Sequence, residues 1–187
     1  ITSGDDEIIF NNVSKAIMVD EIGEGMMQEL MQLLCRLQAQ VVEEYNIPLA
    51  GNFIHNRESM VNWCPIGRIS KKQGREAFKI LDSKLGIRRK YFDILSAEIR
   101  DKGIPLTLKL GGDTSFDIYP HGWDKTFALK HFNRADWDFW FVGDRCYPEG
   151  NDYEIFELLK ETGRAFETGG PDETLEIIDF HILRDLI

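Results

Sequence analysis

Arg57, Arg68 and Arg75 concentrate positive charge of fixed geometry in a chain whose net charge is −10. A guanidinium keeps its charge at any physiological pH, and its planar fork matches two oxygens of one phosphate. Arg57 falls at a turn between two short apolar runs. Arg68 follows the stiff break Pro65-Ile66-Gly67, and Arg75 opens the next helical stretch. Three arginines on short, stiff elements suit one shared anion; three unrelated surface arginines give the same spacing. Ser115 and Asp117 lie two apart in an alternating strand and so share a face. A hydroxyl beside a carboxylate suits sugar hydroxyls, and plain solvent exposure explains the pair equally well.

Further on, Gly143-Asp144 ends the apolar run 138–142. Open α/β sheets bind ligands at that end of their strands. Asn151-Asp152 opens the following helical stretch. Magnesium takes a few carboxylate oxygens and completes its octahedron with water and phosphate. Asp144 is therefore a candidate metal acid and Asp152 a second, unless the Asn-Asp pair caps its helix. Lys125 either neutralises a phosphoryl group or is a solvated lysine. His55, His121, His131 and His181 have no metal-ligand spacing and read as packing or surface residues.

The elements that must position these groups follow from periodicity. Residues 25–45 carry Met27, Leu30, Met31, Leu34, Leu37, Val41 and Val42 at helical spacing. Two strands are expected over 51–55 and 60–64, helices over 72–84 and 87–102, and strands over 105–110 and 115–119. An antiparallel sheet with helices on one side results, an α+β unit. After Pro120 the style changes to a helix at 123–132, a buried strand at 138–142, a helix at 151–160, a strand at 164–167 and a helix at 172–186. That alternation is α/β. A short strand is expected at 7–10. Two parallel strands make too small a sheet to stand alone, so this α/β unit is expected to be incomplete at its N-terminal side.

Composition bounds the rest. The 187 residues are 43% hydrophobic and 29% charged, as in ordinary globular proteins. Residues 51–100 hold 11 Lys+Arg against 5 Asp+Glu, while the remainder hold 11 against 27. The acidic total argues against nucleic acid as a partner. No apolar run approaches the roughly 18–20 residues of a membrane span, and no signal peptide is visible. Cys35, Cys64 and Cys146 show no metal spacing, and free thiols in a reducing cytosol are the simplest account.

Arg57…Met60-Val61-Asn62…Pro65-Ile66-Gly67-Arg68…Arg75, Gly111-Gly112-Asp113-Thr114-Ser115-Phe116-Asp117, Pro120-His121-Gly122-Trp123-Asp124-Lys125 and Gly143-Asp144…Pro148-Glu149-Gly150-Asn151-Asp152-Tyr153-Glu154-Ile155-Phe156 closely resemble eukaryotic-type phosphomannomutase, a family of the haloacid dehalogenase (HAD) superfamily. The resemblance runs from about residue 20 to 157 with order intact. It implies an α+β cap over 18–120 and a HAD-like Rossmann core, partial here, from 1–17 and 121–187. It implies interconversion of mannose 6-phosphate and mannose 1-phosphate through a phospho-aspartyl enzyme and a bisphosphate intermediate, with magnesium and with glucose phosphates as further possible substrates. Arg57, Arg68 and Arg75, with Met60 and Asn62 beside them, would hold the distal phosphate, and Ser115 and Asp117 the sugar. Lys125 would be the core lysine, and Asp144 the metal acid. A cytosolic homodimer joined through its caps is also implied.

The chain departs from that pattern in places. The family's Asp-x-Asp nucleophile motif is expected to lie outside this chain, which begins at Ile1 without an initiator methionine, and the chain alone is expected to be inactive. Its one Asp-x-Asp, Asp136-Trp137-Asp138, stands at the start of a strand and is not read as the catalytic pair. Glu149 replaces glycine, Cys64 a small hydroxyl residue, and Leu158 an acid expected for a second ion. Two rivals share these residues. A HAD-type sugar phosphatase needs no bisphosphate grip, and a non-catalytic sugar-phosphate-binding module needs no nucleophile.

Overall fold

A computed structural model describes residues 16–132 and 136–184. The strand expected at 7–10 and the end of the helix expected at 172–186 lie outside them. After a short helix α1 (Met18–Ile22), which periodicity did not signal, comes the long helix α2 (Glu24–Glu44). α2 buries Met27, Leu30, Leu33, Leu34, Leu37 and Val41, a stripe at three- and four-residue spacing. Strands β1 (Ile54–Asn56) and β2 (Val61–Trp63) form a hairpin. In its turn Asn56 accepts the Glu58 amide at 2.9 Å, which helps hold Glu58 at φ +67. Helices α3 (Lys72–Leu85) and α4 (Ile87–Asp101) meet at Gly86, φ +63, a left-handed position that glycine adopts without steric cost. Strands β3 (Leu106–Gly111) and β4 (Ser115–Pro120) complete a sheet of order β1-β2-β4-β3, antiparallel throughout.

Register gives this sheet two unlike faces, because residues directly opposite on neighbouring strands share a side. Ile54, Trp63, Phe116 and Leu110 form one row, and Val61, Ile118 and Leu108 lie beside it. These pack with Leu30, Leu34, Phe78, Tyr91 and Leu95 of the covering helices in one core. Trp63 is fully buried; it stacks on Phe116 with centroids 4.8 Å apart, and its indole N–H donates to Gln38 at 2.8 Å. The other face carries the row His55, Asn62, Asp117, Lys109. That row is polar from end to end.

Beyond the sheet lie a 3₁₀ segment (Lys125–His131), strand β5 (Phe141–Gly143), helix α5 (Tyr153–Lys160), strand β6 (Ala165–Glu167) and helix α6 (Pro171–Ile177), which runs into one π turn (Ile178–Ile182). β5 and β6 pair in parallel. Three expectations change here. The helix at 123–132 is 3₁₀: none of its residues is buried, so little apolar burial supports a full α-helix, and Asp124 tightens its start by accepting the Thr126 amide at 2.8 Å. The strand at 138–142 pairs only from Phe141 to Gly143, the length of its three-residue partner. The helix expected from 151 begins at Tyr153. The described residues thus form a mixed α/β protein, an antiparallel sheet with helices plus a small parallel pair.

The two sheets are joined closely. Leu110 bridges to Gly150, and its amide donates to the Glu149 carbonyl at 3.1 Å. Lys109, only 7% exposed, donates to the Pro148 carbonyl and pairs with Glu154, each at 2.6 Å. Arg145 pairs with Asp113 at 2.6 Å, and Arg89 with Glu149 at 2.9 Å. Glu149, the departure from glycine, is thus engaged in an ion pair.

Candidate active site

The loop after β2 holds Arg68, and the start of α3 holds Arg75. Gly67 sits at φ +89, and a Cβ there would stand 2.0 Å from the Gly51 carbonyl oxygen, so only glycine lets the two loops touch. That contact fixes where Arg68 leaves the loop. The Arg75 guanidinium donates to the carbonyls of Ser70 and Arg68, at 3.0 and 2.7 Å, and to the Thr114 hydroxyl at 2.8 Å. Three of its five N–H donors are thereby engaged inside the protein, and it braces the Arg68 backbone. The Arg68 side chain turns instead to β1, with Nη1 2.6 Å from Nδ1 of His55. Arg57 is exposed at the hairpin tip, two residues beyond His55.

Asn62 is 3% exposed and donates to the Asp117 carboxylate at 2.7 Å. A Cβ on Gly111 would come within 2.7 Å of that carboxylate, so the glycine makes room for it. Ser115 shares the face, as expected, but its hydroxyl donates to the Gly111 carbonyl at 2.6 Å. Phe116 and Ile118 point into the core.

Across from the sheet stand Lys125, Asp144 and Asp152. Asp152 is 2% exposed, and one of its oxygens takes the Lys125 ammonium. The other accepts the amides of Asp144 and Arg145, each at 3.1 Å. A Cβ on Gly143 would meet that oxygen at 2.6 Å, so Gly143 too is a matter of space. Asp152 makes no capping bond to its own helix. Both oxygens of Asp152 are committed, whereas the Asp144 carboxylate is 66% exposed at the C-terminal end of β5. The Asp144 carboxylate offers oxygens of the kind a hard cation takes; Asp152 holds the Lys125 ammonium and the amides of Asp144 and Arg145. Among the described residues no three His, Cys, Asp or Glu side chains gather as a metal site, so Asp144 alone falls short of a complete ligand set.

The two halves meet at a cavity of about 530 Å³, within the range of small-molecule sites. Met60, Asp117 and Tyr119 line it from the sheet, and Lys125, Asn151 and Ile155 from the other side. A neighbouring hollow of about 540 Å³ holds Asp144, Asp152, Thr168 and Lys125. Lys125 therefore faces both. Two buried groups, the Tyr119 hydroxyl and Glu154 Oε2, have no hydrogen-bond partner among the described residues. Burial pushes the Tyr119 hydroxyl well above its ordinary value, and the nearby Glu154 charge adds to it. Burial likewise raises the Cys146 thiol to about 11. Asp138 of the lone Asp-x-Asp pairs with Arg164 at 2.5 Å, before β5 begins and away from Asp144 at its end.

Sequence reasoning gave no role to Lys109, Thr114 or Tyr119 and read His55 as a packing or surface residue. Lys109 had a signal, since it alternates with Leu108 and Leu110 and must share the polar face. The others depend on pairings of distant segments.

The eukaryotic phosphomannomutase family model matches residues 7–183. The chain belongs to that family. It is 36% identical over 150 residues to a phosphomannomutase of Schizosaccharomyces pombe, covering 79% of this chain and 57% of the relative. It is 36% identical over 170 residues to that of Drosophila melanogaster, covering 89% and 63%, and 34% identical over 163 residues to that of Dendrobium officinale, covering 87% and 61%. The chain thus spans about six-tenths of the length of the curated relatives it matches. Among solved structures, an N-terminally truncated, IMP-bound IMP-nucleotidase of Plasmodium falciparum has 15% identity and a TM-score of 0.47 over 84% of this chain and 38% of its own. Among the described residues no helix is long and apolar enough to cross a membrane.

Proposed function

We propose that this protein serves the interconversion of mannose 6-phosphate and mannose 1-phosphate, as the part that grips the sugar phosphate and neutralises charge in transfer. The observation that carries the reading is the shared cavity, where Asp117 from the sheet and Lys125 from the opposite side face one space. In this reading residues 18–120 are the cap, and 1–17 with 121–187 belong to a HAD-like core. Arg57 and Arg68 hold the phosphate distal to the reaction, with Arg75 bracing the Arg68 loop and Met60 and Asn62 lining the approach. Asp117, aimed by Asn62, takes the sugar hydroxyls together with Ser115.

A mutase must release a phosphoryl group to either end of its substrate and take it back from the other. An arginine grip suits this, since it holds a phosphate without regard to the carbon that bears it. Lys125, held by Asp152, offers positive charge to the phosphoryl group being transferred. Magnesium, with Asp144 as its carboxylate in this chain, would supply further charge neutralisation. The aspartyl nucleophile of the family is not assigned to any described residue. Glucose phosphates, a homodimer joined through the caps and a cytosolic setting complete the proposal. The free thiols of Cys35, Cys64 and Cys146 suit that setting.

Calorimetric titration with mannose 1-phosphate and mannose 6-phosphate tests the reading. Both are expected to bind, and Arg68→Ala to weaken both together by about tenfold or more. Equal binding by the Arg68→Ala variant would refute the arginine grip. In the catalytically complete protein, added mannose 1,6-bisphosphate is expected to raise turnover; if it is only consumed, the chemistry is that of a phosphatase.

A further inference from the structure

We propose that His55 is a positioning residue of the phosphate grip, which orients Arg68 without cancelling its charge; this rests on the sugar-phosphate reading above. Arg68 Nη1 lies 2.6 Å from His55 Nδ1. A guanidinium has no acceptor and does not lose its proton in proteins. The arginine therefore donates, and Nδ1 carries the lone pair. The imidazole is neutral in this contact, with its proton on Nε2.

The surroundings show why an acceptor is needed. The Arg68 backbone is fixed from both sides, since its amide donates to the Asn52 carbonyl at 3.1 Å and its carbonyl accepts from Arg75 at 2.7 Å. Its side chain still has several rotatable bonds, and among the described residues no carboxylate lies within ion-pair distance of it. A carboxylate would hold the guanidinium but neutralise it and compete with any phosphate. A neutral ring nitrogen holds it and leaves the charge whole. The ring itself is placed by the sheet. His55 stands opposite Asn62, which stands opposite Asp117, so all three share the polar face. One ladder row therefore carries both the acceptor for Arg68 and the carboxylate for the sugar.

The test is the affinity for mannose 1-phosphate, by calorimetry near neutral pH, of wild type, His55→Leu, His55→Gln, Arg68→Ala and the His55→Leu/Arg68→Ala pair. Thermal unfolding of each variant checks the fold, and His55→Val, a strong strand former, replaces the leucine variant if that one unfolds. Removing the acceptor is expected to weaken binding about tenfold, the scale of one charged hydrogen bond. His55→Gln, which offers an amide oxygen, is expected to recover most of that loss. In the Arg68→Ala background, His55→Leu is expected to cost less than about twofold, because nothing is left to position. The proposal is overturned if glutamine binds as weakly as leucine, or if His55→Leu costs as much without Arg68 as with it. It is also overturned if His55→Leu binds like wild type while Arg68→Ala does not; the sugar-phosphate reading then survives. If wild type itself does not bind, that reading fails and the proposal falls with it.

Discussion

Replacing Asp152 removes the most heavily engaged carboxylate near the cavity. In Asp152→Ala two part-buried amides, of Asp144 and Arg145, lose their acceptor, and Lys125 loses its partner. Orphaning a buried donor costs about 1–3 kcal/mol each. The ammonium costs little by comparison, because its side chain is 48% exposed and can turn to water. The sum is about 2–6 kcal/mol. Asp152→Asn keeps an oxygen of the same shape for the two amides but presents an N–H₂ group to the ammonium. Lys125 then swings out, and the loss should stop at about 1–2 kcal/mol. Urea unfolding followed by far-UV circular dichroism measures both, with the midpoint shift converted through a common slope. The alanine variant should also unfold on the order of 10 °C lower. The reasoning is refuted if alanine costs under about 1 kcal/mol, or if asparagine costs as much as alanine. The second result would mean that the ion pair, rather than the two amide bonds, dominates.

Three further predictions follow from the same geometry. Gly111→Ala places a methyl group against the Asp117 carboxylate, so it should weaken sugar-phosphate affinity about fivefold or more while leaving thermal unfolding within a few degrees; unchanged affinity in titration would show that Asp117 does not touch the ligand. Arg145 and Arg89 hold the Asp113 and Glu149 carboxyls below their ordinary values. Because the folded values are depressed, the ionised forms stabilise the fold: that contribution is complete above about pH 4–5, near the unfolded values, and is lost as pH falls through the lower folded ones. A melting-temperature series in acid should therefore fall less steeply for Asp113→Asn/Glu149→Gln than for wild type, and parallel curves would refute this. Iodoacetamide near pH 8 should label exposed Cys35 first and Cys146 far more slowly, since burial leaves the Cys146 thiol protonated; peptide mass spectrometry reads the order, and equal rates would contradict it.

Much of the molecule was legible because its signals are local. The apolar stripe of α2, the hairpin around Asn56–Ser59, the break between the helices at 72–84 and 87–102 and the alternation of Leu106, Leu108 and Leu110 each follow from contacts within a few residues. So does the placing of Gly143-Asp144 at a strand end, and residue type and spacing singled out the candidate arginines. What residues 123–132 became was less legible, because an α-helix there needed a buried face, and burial belongs to the whole fold.

The sequence by itself determined which side chains are available and which element carries each one: arginines on short, stiff elements, Ser115 and Asp117 on one strand face, an acid at the end of β5. Only the tertiary structure decided what those groups do for one another. Strand register brought Asn62 against Asp117 and set His55 and Lys109 in the same row, joining positions more than fifty residues apart. Loop packing turned Arg75 inward as a brace and left Arg68 to a histidine that spacing had marked as ordinary. Chain folding over Gly143 spent both oxygens of Asp152 and left Asp144 open. A pattern read along the chain reports only the nearest turns of backbone. The partner of a polar side chain is chosen by whichever distant segment packing brings within about 3 Å.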